Sequence, residues 1–538
     1  MAAPPIPDPA SDQDDMAALA KGGRTNTMGF GIRLVARIPF ILIATRLYGA
    51  EALGRFASAL VLIEVLALVC SLGEKRGLAQ RLTQGSVEHG DPDGAPEVNL
   101  VFDGMLLALI WSAIAGAILF AFPAPMFPSG MNSPYDIWLI ASIPAFALTE
   151  IMLAAQAYKY DIATTVRTRA IVEPWTISIA AGVFFFITPL RDFGLALSFI
   201  VSIFAGLVTA AIPFLRSYGL PRNWTPRPRA MLTQSSRALP LIGADAIERG
   251  TRLLDVFILG LVASPVAVGI YYAAQQIASL PQKLKSSFEP ILSPVITKNL
   301  KIGNLDAIAA QVRQVGFWII AVQLAIALAL AIPGEAIMGV WGPDYVAGTA
   351  ALAFLLAAEV AASMAVVSES VLVYIAKKRN LAISAGVLAL QAVLTFVCIE
   401  GMERFAAANG LDVNGFATAG PALALFLALC VSSLVKALVL KKLLKAPVSN
   451  WRWGLVWATG PAVIVGFAFT QLPPSLEWVE LVVGIPAIIA VYGFVLWHRG
   501  FEDADRVLFR KNVAPVPLGD PPSPPPASPA SPDAKPPE

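Results

Sequence analysis

About fourteen windows of roughly twenty residues are apolar enough to cross a bilayer, and this series leaves the chain few folds. They lie near 30–48, 52–71, 99–122, 135–157, 170–190, 193–215, 239–263, 267–296, 312–333, 347–375, 380–400, 415–440, 453–471 and 478–498. In lipid a backbone N–H or C=O has no water to bond, so a span of this length satisfies itself as a helix. The expected class is an all-α polytopic membrane protein. Only 14% of the residues are charged and mean hydropathy is +0.68, where a soluble domain carries about a quarter charged residues. The 267–296 window departs from the others, because Gln275, Gln276, Lys283, Lys285 and Glu289 make its inner half amphipathic.

Basic residues alternate between the connections. Lys75, Arg76 and Arg81, then Lys159, Arg167 and Arg169, then Arg216 to Arg237, recur on one side. Lys298 and Lys301, Lys377 to Arg379, Lys436 to Lys445, and Arg499 to Lys511 continue the series on that side. The other side keeps Arg46, Arg55, Arg191 and Arg404. By the positive-inside rule this puts both termini in the cytoplasm of a multi-pass inner-membrane protein. The N-terminus is acidic and Pro-rich and has no short apolar core with a cleavage site, so no cleaved signal peptide is expected.

A repeat organises the spans. Gly54-Arg55-Phe56-Ala57-Ser58-Ala59 matches Gly269-Ile270-Tyr271-Tyr272-Ala273-Ala274, and the turns Phe122-Pro123 with Tyr135 and Ile332-Pro333 with Tyr345 correspond as well. The reading is two pseudo-symmetric six-helix bundles at 25–215 and 238–446 and two additional C-terminal helices at 447–500. A basic linker at 216–237 joins the bundles, and disordered segments occupy 1–24 and the Pro-rich 501–538. Trp224 in the linker is expected at the lipid headgroups.

Several functions are excluded by what the chain lacks. Net charge of +2 without a basic groove argues against nucleic acid. Two histidines, His89 and His498, exclude a His-based nucleophile or metal cluster, and Cys70, Cys398 and Cys430 all lie in apolar windows. No GxxxxGK[ST] phosphate loop occurs, so transport would be driven by a gradient or the membrane potential. The chain reads as a non-enzyme without cofactor or metal.

The informative charges are inside the windows. Asp245, Glu248, Arg249, Arg252 and Asp255 project at roughly 0°, 300°, 40°, 340° and 280° on a helix, one stripe about 120° wide. An ionised side chain at bilayer depth costs about 2.5–3.5 kcal/mol on insertion scales, so the stripe faces inward, toward a polar cavity or toward partners. Two readings stay open: cavity lining, and internal ion pairing such as Glu248 with Arg252 four residues on. Arg33 and Arg37, also four apart, either snorkel to the interface or join Arg249 and Arg252 in a cationic cavity. Such a cavity suits phosphate or carboxylate, since arginine donates two parallel hydrogen bonds. Glu64, Glu150, Glu359 and Glu369 are candidate coupling acids, and Glu173 precedes Pro174, where it could cap a helix break.

Three stretches resemble a known family. ATRLYGAEALGRFASAL is similar to the first-to-second-helix turn of bacterial polysaccharide and O-antigen flippases, LDVFILGLVASPVAVGIYYAAQQIASLP to their seventh-to-eighth turn, and VWGPDYVAG to their outer loop after the ninth helix. The resemblance spans about 25–445 and points to the multidrug, oligosaccharidyl-lipid and polysaccharide exporter superfamily. It implies alternating access and a lipid-linked oligosaccharide substrate, a polyprenyl diphosphate met by Arg33, Arg37, Arg249 and Arg252. Membrane lipids, and a polysaccharide polymerase and glycosyltransferases, are the partners it implies, in O-antigen, lipopolysaccharide, capsule or exopolysaccharide assembly. Two alternatives stay open. The two extra spans also occur in lipid II flippases, and the multidrug branch exports small organic cations, though its first helix generally carries an acid that this first window lacks.

Overall fold

The computed structural model describes residues 36–74, 77–78, 82, 97–221, 224–226, 228–286, 296, 299–300, 302–473, 476–502 and 505. Among these residues every regular element is helical, and eleven stretches are long and apolar enough to cross a membrane. The first, Ala36–Cys70, is two helices. Gly49 has φ 82° and ψ 174°, a conformation that favours glycine. The Phe40 and Phe56 ring centroids lie 6.3 Å apart, where sixteen residues of straight helix would separate them by about 24 Å. The chain therefore reverses at Gly49, between α1 (36–48) and α2 (Gly49–Cys70).

The remaining spans are α3 (Glu97–Ala121), α4 (Pro134–Tyr158), α5 (Ile162–Phe186), α6 (Gly194–Tyr218), α7 (Pro228–Val262) and α8 (Pro265–Ser286). They continue with α9 (Leu305–Ala331), α10 (Pro343–Ile375), α11 (Lys377–Asn409), α12 (Val413–Leu444), α13 (Trp453–Thr470) and α14 (Glu477–Arg499). Helices α7 and α8 are long enough to span but fall outside the purely apolar group, α7 because of its charges and α8 because of its glutamines and tyrosines. A short helix, Gly334–Trp341, joins α9 to α10.

Helices α3 to α6 pack mainly on one another and on α2, and α9 to α12 mainly on one another, while α2 packs more on α8 and α7 than within its own lobe. The two lobes meet where α2 packs along α8 and α7. Small residues allow that contact: a Cβ on Gly54 would lie 1.7 Å from the carbonyl oxygen of Pro265, and one on Gly269 would lie 2.0 Å from that of Ala50. Between helices in lipid the attraction is close packing rather than hydrophobic burial, so backbone proximity of this kind carries the interface. Gly54 and Gly269 are the leading residues of the two matching repeat segments, and they face each other.

Several helix boundaries differ from the sequence reading, α11 for example running to Asn409, and two of the differences have local causes. Helix α7 starts at Pro228, ten residues inside the expected linker, because proline suits a first helical turn and Ala230, Met231 and Leu232 favour helix. Helix α5 starts at Ile162 because Asp161 caps it, its carboxylate accepting from the Thr164 N–H at 3.1 Å and hydroxyl at 2.6 Å. Trp224, expected at the headgroups, is held near the start of α3. Its indole N–H donates to Asp103 at 2.9 Å, and its ring packs edge-on against Phe102.

Helices α13 and α14 seat on α9 through Leu455, Ala458, Ile488, Tyr492 and Leu496. Their outward sides, including Trp457, Ile464 and Phe494, are exposed apolar surface, as contact with lipid requires. A polar lock secures one end. Asp505, fully buried, accepts from the Arg452 guanidinium at 2.5 Å, the Trp318 indole at 2.9 Å and the Glu502 N–H at 2.9 Å, and Arg452 lies 4.1 Å over the Phe317 ring. Phe501 and Asp505 are thus packed against the bundle, although the sequence reading began the disordered tail at 501.

Candidate functional site: paired charges at the lobe interface

Helix α7 lies against α2 on one side and α11 on the other, and its charged stripe finds a partner on several neighbours. Arg249 donates to Glu64 of α2, a bond between the lobes. Arg252 donates to Glu359 of α10 at 3.1 Å, and the Gln275 amide donates to the Arg252 carbonyl at 2.9 Å. One turn further, Asp255 is fully buried and accepts the Tyr271 hydroxyl of α8 and the Val256 N–H. Gln391 of α11 donates to the Thr251 carbonyl at 3.0 Å.

The pairs have a common posture. The Arg249 and Arg252 side chains are 47% and 38% exposed, and their acids 16% and 9%. Glu359 is buried and Glu64 mostly so, each behind an arginine that projects outward from it. Burying either acid alone would carry a large desolvation cost, which the facing guanidinium offsets.

A second cluster adjoins Arg249. Arg169, on α5, donates to Glu150 of α4 at 2.5 Å and to Glu173 at 2.7 Å, and its guanidinium lies 4.4 Å from the Phe146 ring centroid. Arg169 is buried, whereas the sequence reading placed it among cytoplasmic loop charges. The early start of α5 draws it inside, and its four-residue spacing to Glu173 was the available signal. It occupies a π-helical segment, Arg167–Val172. Gly206 of α6 makes room for Glu173: a Cβ there would meet the carboxylate at 2.5 Å. Glu150 and Arg169 act electrostatically on Arg249, and Arg37, Glu64 and Arg249 act together on the buried Tyr272. Glu64, Arg249, Glu150, Arg169, Glu173 and Arg37 thus form one neighbourhood of balanced charge.

Depth along the helices separates these groups. At 1.5 Å per residue, Glu64 lies about 22 Å from Gly49 and Arg249 about 20 Å from the same end of α7. By the same measure Arg252 lies about 15 Å from that end of α7, and Glu359 about 15 Å from Thr349, where α10 passes from 3-10 to α-helical winding. Glu369 lies about 30 Å from Thr349, toward the far end of α10, where it is 44% exposed and pairs with the buried Lys436 at 3.0 Å.

Of the sequence candidates, the structure joins Arg249 to Glu64 and Arg252 to Glu359, brings Glu150 to Arg169, and sets Asp255 on Tyr271. Arg37 stands half-buried in α1. Arg33 lies outside the described residues, as do the side chains of Asp245 and Glu248, although both positions fall in α7. Tyr271, Gln275 and Gln391, neutral groups that hold the α7 backbone and Asp255, were missed because their composition resembles ordinary core polarity.

No family model and no curated protein matches the chain. Solved structures do share its fold. A structure of the lipid II flippase MurJ in an inward closed conformation is similar over 90% of this chain and 99% of its own, with a TM-score of 0.66 at 11% identity. An inward-facing multidrug resistance transporter of the MATE family, in the MOP superfamily, covers 77% and 96%, with a TM-score of 0.57 at 14% identity. A MATE transporter of Vibrio cholerae, VcmN, covers 80% and 98%, with a TM-score of 0.52 at 12% identity. The chain is thus a multi-pass membrane protein with the polytopic helical fold of these transporters.

Proposed function

We propose that this protein is a flippase that moves a polyprenyl-diphosphate-linked oligosaccharide across the bacterial inner membrane by alternating access between its two lobes. One observation carries the reading. Arg249 and Arg252 project from α7, each backed by a less exposed carboxylate from another helix. A guanidinium oriented in this way can exchange a carboxylate for a diphosphate, which it binds through two parallel charge-assisted hydrogen bonds. The acid behind it then keeps the empty site neutral. The cargo serves O-antigen, capsule or exopolysaccharide assembly in this reading.

A second reading, lipid II as the cargo, draws on the MurJ likeness, which extends over more of the chain than the MATE likenesses. Both cargoes share the diphosphate, so both need the same arginines. The test reconstitutes the full chain in liposomes and follows a fluorescent diphosphate-linked oligosaccharide and lipid II from one leaflet to the other. Translocation should occur and should fall at least tenfold in Arg249→Gln and Arg252→Gln. Export of a small organic cation with no lipid translocation would assign the chain to the multidrug type instead.

A further inference from the structure

The α2–α8 interface is closed most tightly near the Gly49 turn, and an arginine bridges the lobes at that same end. Arg46, in the last turn of α1, donates from Nε to the Val340 carbonyl at 3.0 Å, and from Nη2 to the Val340 and Gly339 carbonyls at 2.7 and 3.1 Å. Those carbonyls terminate the short helix Gly334–Trp341, which ends at Gly342 with φ 143°. The last carbonyls of a helix carry the negative end of its dipole, and the Gly339 carbonyl, which also accepts the Gly342 N–H at 3.1 Å, has a second lone pair for a cation. Arg46 is thereby tied to a segment almost three hundred residues away, in the other lobe. Its side chain is exposed, and no carboxylate of the described residues lies within ion-pair distance of it. It differs in this from Arg249, Arg252 and Arg169, each of which holds an acid.

We propose that Arg46 is a latch on this end of the lobe interface, which the charge bias reads as the outer end, and that a phosphate-type anion releases it. The chemistry follows from the acceptors. Neutral carbonyls bind a guanidinium less strongly than an oxyanion does, and a phosphate can take both of its parallel N–H donors. An anion arriving at Arg46 removes the arginine from Gly339 and Val340, and at this end of the interface the small-residue contact then holds α2 on α8 without it. The inference rests on the flippase reading for the origin of that anion, the diphosphate of the cargo, and not for the existence of the latch.

A cysteine pair reports the closed state. A Cβ on Gly260 would lie 3.4 Å from that of Ser58, close to the separation a disulfide needs. Ser58→Cys with Gly260→Cys, after replacement of Cys70, Cys398 and Cys430 by serine, is reconstituted as the full chain in zwitterionic lipid nanodiscs and oxidised. The pair should cross-link fast, inorganic pyrophosphate should slow it at least threefold, and sulfonate buffer at equal ionic strength should not. Adding Arg46→Gln should give the slow rate without pyrophosphate and no further response, and Arg46→Lys should lie between. Slowing by phosphatidylglycerol alone, without pyrophosphate, would support the same latch with a lipid headgroup as the anion. An unchanged cross-linking rate in a monodisperse Arg46→Gln protein would overturn the latch. A slowed rate there with no response of the parent to either anion would overturn its release. Neither result depends on whether lipid translocation is observed, so a failed flippase assay is a separate outcome.

Discussion

Replacing Gly54 by alanine adds one methyl group where two helix backbones meet. That carbon would lie 1.7 Å from the Pro265 carbonyl oxygen and 2.8 Å from the Gly269 nitrogen, and neither atom can rotate away as a side chain would. Ordinary carbon–oxygen contact is about 3.3 Å, so α2 and α8 must part by about 1.6 Å. Overpacking of this kind costs about 1–3 kcal/mol, which shifts an equilibrium between about five- and a hundred-fold. The strain falls between the lobes and not inside either, so the protein should insert and remain folded while the closed interface loses population. The Ser58–Gly260 cysteine pair measures that population, and its cross-linking should slow by at least fivefold in Gly54→Ala. Gly386→Ala and Gly493→Ala serve as controls, since a Cβ at either position has no atom within 4 Å, and both should cross-link like the parent. Parental cross-linking in Gly54→Ala would show that the lobes do not close through this contact.

Three further outcomes are expected. Glu359→Gln should impair lipid translocation by leaving Arg252 without its acid. Combining it with Arg252→Gln should restore stability lost in the single change, by about 1–3 kcal/mol, while translocation stays low; restored translocation would remove Arg252 from the cargo site. Burial opposes ionisation of Asp505, but hydrogen bonds from Arg452, Glu502 and Trp318, with the Arg452 charge, overcome it and hold the carboxyl below its usual range. A depressed folded pKa gives stability that is present above the unfolded value, about 3.9, and is lost as pH falls through the folded value. Melting followed by tryptophan fluorescence should therefore drop for Asp505→Asn at neutral pH, and the difference should begin to shrink below about pH 4 and vanish only once the pH passes the folded value. Single cysteines at Lys159 and Lys377 should be protected from an impermeant thiol reagent in intact cells, and one at Arg404 should be labelled; the reverse pattern would invert the topology.

The helical class was legible because a span in lipid must be about twenty apolar residues, and that requirement appears directly in composition. The turn at Gly49 was legible because the two windows are separated by Gly49, Ala50 and Glu51, with Arg46 and Arg55 on either side. The starts of α5 and α7 were not. An Asp161 cap three residues before Thr164 and a proline-led first turn look like loop chemistry when read without their neighbours. The charged stripe on α7 followed from periodicity, yet its partners did not, since Glu64 and Glu359 lie 185 and 107 residues from the arginines they meet. Periodicity selects a face and carries no information about what covers it. Of the two open readings of the stripe, Arg249 and Arg252 are paired, though with acids of other helices, and the cavity reading is the one the proposed function takes up.

The π-helical segment of α5 has a consequence for how this helix tolerates change. An extra residue is wound into Arg167–Val172, so the turns on either side are out of phase by about 100° relative to an uninterrupted helix. Each side is separately anchored, the first by Asp161 and the second by Glu173 seated against Gly206. Removing one residue, such as Thr168, would leave a regular helix of good propensity and a span still long enough to cross. It would also turn Arg169 away from Glu150 or Glu173, leaving a carboxylate in the lobe interior without its cation. In this helix a deletion that improves the local backbone is more damaging than most substitutions, because what the segment preserves is a rotational phase.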